Sequence, residues 1–386
     1  MSVAWDHAYD ACPPDAADLL RVVSVLDLTV LSSPAAGTAA GLGPDQAAAA
    51  MGHLVRAGWV KPGPVHPVTP SARTWLTGSA SRLAGPDRAV AIIRAFAGYH
   101  ADAVDPLRHD PAAAGRWFGA HHTELLAAVR ACDRAGLRPL GTGLAAAAWA
   151  GAGPAGDAAL WQELADAGEA VAVADRDPAA LVDLLCRSAG TFAAGGDRLR
   201  AEAQWVRALA LVRRALRDRP EDEPTRARAV AILTDLGVLY RQWDRQSKAL
   251  DTGLELVELH RSAGEALPAA EALAQIGTTL YRTGRVDSAA GYFAAADAAL
   301  AEISAPVPDV VRRHARILEW CGRALWARGA HGAAKRHWSK GLAMTVDVDD
   351  ALADRLRALL ATAPGDELPD PVQSPNTSES LSGGNG

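Results

Sequence analysis

The chain has 386 residues, 49% of them hydrophobic and 22% charged, with a formal net charge of −6 and four cysteines. That length holds two or three domains, or one domain and a repeat array, and the acidic balance argues against a strongly electrostatic nucleic-acid footprint. Much of the apolar share is Ala, the strongest helix former, and β-branched runs are few, so an all-α protein is predicted.

Cys12, Cys132, Cys186 and Cys321 stand far apart, with no CxxC and no ligand spacing shared with His. They read as small core residues in a reducing compartment. Asp6 and Asp10 lie in an N-terminal stretch without a basic run, which predicts no signal peptide. The most apolar run, residues 144–153, is too short and too glycine-broken to span a bilayer. A cytoplasmic protein without membrane contact is expected.

Residues 1–80 read as a compact helical unit. Pro13 and Pro14 open a helix at Asp15 with Leu19, Leu20, Val23 and Leu26 at helical spacing. A short Ala-rich helix follows Pro34, and Pro44-Asp45 start a third that runs through Met51, Leu54 and Val55 to Gly58. Trp59-Val60 then reads as a strand, Lys61-Pro-Gly-Pro64 as a turn and residues 65–69 as the return strand. Three helices and a small β-hairpin outline a winged-helix-like unit. Such a unit binds DNA through its third helix, yet that helix offers only His53 and Arg56 as basic or switchable groups. Residues 1–110 carry eight Arg and Lys against ten Asp and Glu, a net of −2, which disfavours DNA and favours a docking role.

Residues 81–140 form a helical connector. One amphipathic helix runs over 86–107, with Val90, Ile93, Ala97 and Val104 on one side, and a second over 117–135, with Trp117, Leu125, Ala128, Val129 and Cys132 on its apolar face. His121 and His122 beside Glu124 suggest a metal, but adjacent residues on a helix point about 100° apart and no third ligand follows, so a surface or junction role is expected.

From 141 to 362 the chain repeats. Small residues Ala189, Gly237, Gly277 and Gly322 mark the middle of four successive first helices. Twelve residues later stand Ala201, Ala249, Ala289 and Ala334, and sixteen later Trp205, Gly253, Phe293 and Trp338. Phe192, Tyr240, Leu280 and Leu325 follow the markers by three, while Thr234, Ala274 and Glu319 precede them at a position expected to face outward. Residues 144–165, with Trp149 and Trp161, give a degenerate fifth hairpin. The pattern resembles the tetratricopeptide repeat (TPR), in which small residues let two helices touch and an aromatic fills the gap beside them. Leu236-Gly237-Val-Leu-Tyr240 and Ala289-x3-Phe293-x2-Ala296 carry the resemblance, whereas Gly253 and Gly341 depart from it where a bulkier side chain is usual. The resemblance implies a TPR-type α-solenoid folding as one cooperative array, with a capping helix over 349–360 that Asp349-Asp350 open. Residues 363–386 read as a disordered polar tail.

The order of elements is similar to the C-terminal portion of bacterial NB-ARC/TPR signal-transduction ATPases. Tyr9-Asp-Ala-Cys-Pro-Pro14 echoes the segment that opens that family's winged helix, and Leu54-Val-Arg-Ala-Gly-Trp59 the one that closes its third helix. Trp117 with Glu124-Leu-Leu-Ala-Ala-Val129 echoes the segment before its repeats. The family's nucleotide-binding domain has no counterpart here, since GxxxxGK[ST] is absent. Gly151-Ala-Gly153-Pro-Ala-Gly156 spells GxGxxG but follows an Ala-rich helical run and contains Pro154, so a loop is expected. No nucleotide, cofactor, metal or catalytic residue is expected, and no enzyme activity.

The expected function is that of a non-enzymatic regulatory or adaptor protein gripping a protein or peptide; the alternative is a DNA-binding transcription regulator with the repeats as sensor. The TPR pattern places Thr234, Val238 and Arg241 on the concave face, then Glu271, Thr278, Tyr281 and Arg282, then Arg316, Glu319, Arg323 and Trp326. Arg316 and Arg323, two turns apart with Glu319 between, suggest a carboxylate grip beside Trp326, against the alternative of a solvated helix face with internal ion pairs. The only Asn residues are Asn376 and Asn385, so a peptide backbone must be held by something other than Asn.

Overall fold

The computed structural model describes residues 2–152, 158–303, 307–346 and 348–369. The fold is all-α: eighteen α-helices and two dipeptide strands make up its regular structure among the described residues, with one short 3₁₀ turn. The chain divides into two compact units, Met1–Leu211 and Val212–Gly386.

The first unit opens with α1 (Ser2–Asp10), a helix that the sequence reading did not anticipate. There follow α2 (Pro14–Leu26), β1 (Val30–Leu31), α3 (Ser33–Ala40), α4 (Pro44–Arg56), β2 (His66–Pro67) and α5 (Pro70–Leu83). Each helix from α2 to α5 has Pro in its first turn, where the missing N–H is no loss. The expected hairpin between 59–60 and 65–69 shrinks to one bridge, Val60 with Val68. The true strand pair is β1 with β2, antiparallel, with Val30 opposite Pro67 and Leu31 opposite His66. Pro62, Pro64 and Pro67 remove the N–H groups a longer ladder needs. Trp59 is buried with its ring 4.5 Å from Trp5 and 5.6 Å from Trp75, so α1 closes over the aromatic end of this layer.

The connector consists of α6 (Pro86–Val104), the 3₁₀ turn Asp105–His109 and α7 (Pro111–Arg134). The buried face of α6 is Ile92, Ile93, Phe96, Ala97, His100 and Val104, which shifts the predicted stripe by one side chain, Val90 being only half-buried. Next come α8 (Arg138–Ala152), α9 (Ala158–Asp175), α10 (Pro178–Ala194) and α11 (Arg198–Asp218), the last beginning in the first unit and ending in the second. Phe118 stacks on Trp161 at 3.5 Å and Trp149 lies 4.7 Å from Trp161, so the aromatics of the degenerate hairpin serve the core. The GxGxxG string begins at the C-terminal end of α8, and its residues 153–156 lie outside the described residues.

The second unit contains α12 (Glu223–Gln242), α13 (Gln246–Ser262), α14 (Ala266–Arg282), α15 (Val286–Ala301), α16 (Pro308–Ala327), α17 (His331–Thr345) and α18 (Asp350–Ala361). Each helix packs on the next, and α14 also on α16 and α16 on α18, the order of contacts in a helical solenoid. The repeat markers carry this packing. A Cβ at Gly277 would come within 2.9 Å of the Phe293 ring, and one at Gly322 within 2.1 Å of Trp338 Nε1. The two departures are explained by neighbours. A Cβ at Gly253 would meet Ile276 at 2.7 Å, and Gly341 lies against Leu356, Ala315 and Leu318. The position expected to face outward does not. Ala274 and Glu319 are buried and Thr234 is half-buried, because each first helix is covered on more than one side.

The capping helix α18 starts as predicted, with the Asp349 carboxylate accepting from Leu352 N at 2.9 Å. The tail differs from its reading as disordered from its first residue. Residues 364–369 turn back on the unit, and Leu368 packs against the cluster of Trp326, Trp338, Leu352, Leu356 and Leu359. Residues 370–386, including both Asn residues, lie outside the described residues.

Candidate partner-binding face

The face is built on α12, α14 and α16, the first helices of three successive hairpins. On α12, Arg241 is half-buried and donates from Nη1 to the neutral Gln275 Oε1 of α14 at 3.3 Å. Burial, and then the neighbouring Arg282 guanidinium, push its pKa below the ordinary arginine value. Arg282 ends α14 exposed, beside the half-buried Tyr281, whose ring meets Trp320 edge-on at 5.7 Å. Two like charges from adjacent helices are thus brought into each other's field.

Further along, Glu271 is engaged by Arg313, which also reaches Asp309 Oδ2 at 2.8 Å. Arg316 is half-buried, its pKa lowered first by burial and then by Arg355 of α18, against the pull of Glu319 and Asp349. Neither Arg313 nor Arg355 was among the sequence candidates. Arg355 lay on the capping helix, outside the repeat pattern, and only its i, i+3 relation to Leu352 would have hinted at its side.

Thr278, Glu319, Arg323 and Trp326 are buried, and so do not lie on an open face as expected. Thr278 satisfies its hydroxyl on Ala274 O at 2.9 Å. Arg323 donates from Nε and Nη2 to Glu319 Oε1 at 3.1 and 3.0 Å, an internal i, i+4 ion pair with 2% and 5% of the residues exposed. Its Nη1 donates to the carbonyl of Pro369 at 2.7 Å. Trp326 lies 5.4 Å from Trp338 and 4.2 Å from His331, as part of the core cluster. The reachable members of the set are therefore Arg241, Glu271, Tyr281, Arg282 and Arg316.

The first unit holds a second polar feature. Glu124 of α7 is fully buried and accepts from Ser32 N at 2.8 Å and Ser32 Oγ at 3.0 Å. Its carboxylate caps the N-terminus of α3, where the orphan N–H groups and the helix dipole favour an anion. Burial raises its pKa, although the Ser32 hydrogen bonds oppose the shift. His100 of α6 lies with Nε2 3.5 Å from Glu124 Oε2, with no hydrogen bond to either ring nitrogen among the described residues, and burial pushes its pKa down to about 3. His121 stacks on Trp117 at 4.9 Å and gives its Nδ1 to Trp117 O, while His122 Nδ1 meets Gly119 O. The expected DNA-reading helix, α4, exposes Asp45, Gln46, Ala48, Ala49 and Arg56, a face with one cation.

No helix among the described residues is long and apolar enough to cross a membrane. The sequence matches no family model and no curated protein. Among solved structures, BtubC (BKLC) from P. vanneervenii is similar, with 16% identity and a TM-score of 0.39 over 75% of this chain and 96% of that one. A Signal Transduction ATPase with Numerous Domains protein with a tetratricopeptide repeat sensor, from Pyrococcus horikoshii, is similar at 12% identity and a TM-score of 0.43. That alignment covers 93% of this chain and 61% of that one, so this chain spans less than two thirds of the ATPase's length. Both likenesses are too distant to carry the fold, which rests on the packing described above.

Proposed function

We infer that the chain is a non-enzymatic regulatory or adaptor protein that captures an acidic segment of a protein partner on the second unit. One observation carries this reading. Arg241 and Arg282 face each other's charge across α12 and α14, and no ion pair to a carboxylate relieves either among the described residues. Holding two guanidiniums together costs Coulomb energy that a bound carboxylate returns, and arginine forks suit that ligand. The half-buried Tyr281 beside them supplies an aromatic anchor of the kind that interfaces use.

The test is affinity capture from the native cell with the intact chain and with Arg241→Ala/Arg282→Ala, read by mass spectrometry. A partner held by the intact chain and lost from the double variant supports the reading. An unchanged set of captured proteins overturns it. The second reading, a DNA-binding transcription regulator, draws on the strand pairing around α4, namely β2 after it returning to β1 before it, and Val60 with Val68. A mobility shift on promoter DNA that is specific and weakens with salt would favour it over the first.

A further inference from the structure

The end of the second unit contains a contact that looks like a ligand already bound. After α18 the chain reverses at Gly365, whose φ of +104° suits glycine. Asp366 closes the turn, its N donating to Ala363 O at 3.1 Å and its carboxylate accepting from Ala363 N at 3.2 Å. The chain then passes over α16, with Leu368 on the Trp326 and Trp338 cluster and the Pro369 carbonyl accepting from Arg323 Nη1. Arg323 is oriented for this by Glu319, which takes its other two donor positions and leaves Nη1 aimed outward. Beside it, Arg355 Nε is buried in an ion pair at 3.7 Å from Glu319 Oε2, too long for a hydrogen bond, which brings a second guanidinium to the seat. An apolar seat, an oriented donor to a backbone carbonyl and a neighbouring cation are parts of a peptide site. The segment that fills it reads Asp366-Glu367-Leu368-Pro369-Asp370 in sequence, acidic on both sides of Leu-Pro. The groove carries Arg316, Arg323 and Arg355.

We propose that this groove over α16 and α18 recognises extended acidic peptides bearing a Leu-Pro step, and that the chain's own Leu368-Pro369 fills it in cis until a partner displaces it. The proposal rests on the reading of the second unit as a docking body and names its ligand chemistry. Proline suits the role, since it lacks the N–H that an extended segment would otherwise have to satisfy, and it pre-sets its own φ. A segment tethered by a few residues competes at an effective concentration of about a millimolar. A trans peptide making the same contacts with a dissociation constant of about 0.1 mM is then weakened about tenfold.

The probe is a fluorescein-labelled peptide of residues 364–371, titrated by anisotropy against the full chain and against full-chain Leu368→Asp. The variant is expected to bind the probe about tenfold more tightly than the wild type, and a probe carrying Leu368→Asp to bind neither. Arg355→Gln in the Leu368→Asp background should weaken the probe again. Circular dichroism melting checks the fold, and full-chain Leu368→Ser takes the place of Leu368→Asp if the charge disturbs the core. Equal, or equally absent, probe binding by the wild type and a folded Leu368 variant overturns the proposal. That result leaves capture through Arg241 and Arg282 untouched, so the two readings fail separately.

Discussion

The Trp338 indole lies directly over Gly322, and its Nε1 donates to Glu319 O at 3.0 Å from a fully buried position. A methyl group at 322 would occupy the space of the indole nitrogen. Gly322→Ala should therefore destabilise the second unit by about 3 kcal/mol, the upper end for overpacking. Gly277→Ala, where Phe293 stands at 2.9 Å, should cost about 1–2 kcal/mol, because a ring edge yields more easily than an anchored indole. Gly291→Ala on the exposed side of α15, with nothing within 4 Å, should instead gain about 0.5–1 kcal/mol from helix propensity. Urea melts of the three variants rank them, and a neutral Gly322→Ala would contradict the packing described.

His100 makes a pH-dependent contribution in the first unit. Its folded-state pKa of about 3 lies below the ordinary 6.5, so the unfolded chain takes up the proton first as pH falls. Its contribution is complete above pH 6.5 and declines below it, by up to about 1.4 kcal/mol per pH unit. His100→Phe removes this dependence, so the stability advantage of the wild type over the variant should shrink between pH 7 and pH 4. Glu124 acts in the opposite sense, since burial raises its pKa and its cost appears as pH rises, but it is present in both chains. Parallel stability curves for the two proteins, or His100 imidazole resonances that titrate near 6.5, would contradict the buried neutral state.

Asp297 ties three helices together. From α15 its Oδ1 meets His314 Nε2 of α16 at 2.5 Å and Lys340 Nζ of α17 at 2.6 Å. Burial alone would raise its pKa, yet these hydrogen bonds and charges hold it at about 2, below the ordinary 3.8. The contribution is therefore present above pH 3.8 and lost as pH falls towards 2. Asp297→Asn should cost about 1–2 kcal/mol at pH 7 after allowance for solvent screening, and much less at pH 2, where about half of the folded-state carboxyl is protonated. Denaturant melts at the two pH values check this, and an equal loss at both would remove the charge from the explanation.

The cysteines differ in reach. Burial pushes the Cys132 thiol up to about 11, and burial with the nearby Asp297 pushes Cys321 up to about 12. Both should resist iodoacetamide at pH 8 until the chain unfolds, because the thiolate is the nucleophile. Cys186, half-buried on α10, should take the label before either. Peptide mapping by mass spectrometry gives the order, and labelling of Cys321 at the rate of Cys186 would show that α16 opens more readily than its packing implies.

The sequence made the repeat frame legible because packing obeys short-range rules. A small residue, a second small residue twelve positions on and an aromatic four beyond that can only mean two helices touching, as Gly277, Ala289 and Phe293 do. The helix starts were legible for the same reason, since Pro and Asp mark them locally. Which side of a first helix stays open was not. Arg323 and Glu319 fit a solvent-facing pair by spacing, but α18 and the segment at 368–369 cover them, and nothing within the repeat announces that cover. Glu124 was equally opaque, being read beside two histidines when its partner stands 92 residues earlier in the chain.

That distance has a consequence for the order in which the first unit is built. Helix α3 has eight residues, among them Gly37 and Thr38, and is too short to persist alone. Its N-terminal donor at Ser32 is satisfied, among the described residues, by a carboxylate that a ribosome adds 92 residues later. During synthesis the N-terminal helices must wait, loosely associated, for α7 to emerge before their layer closes.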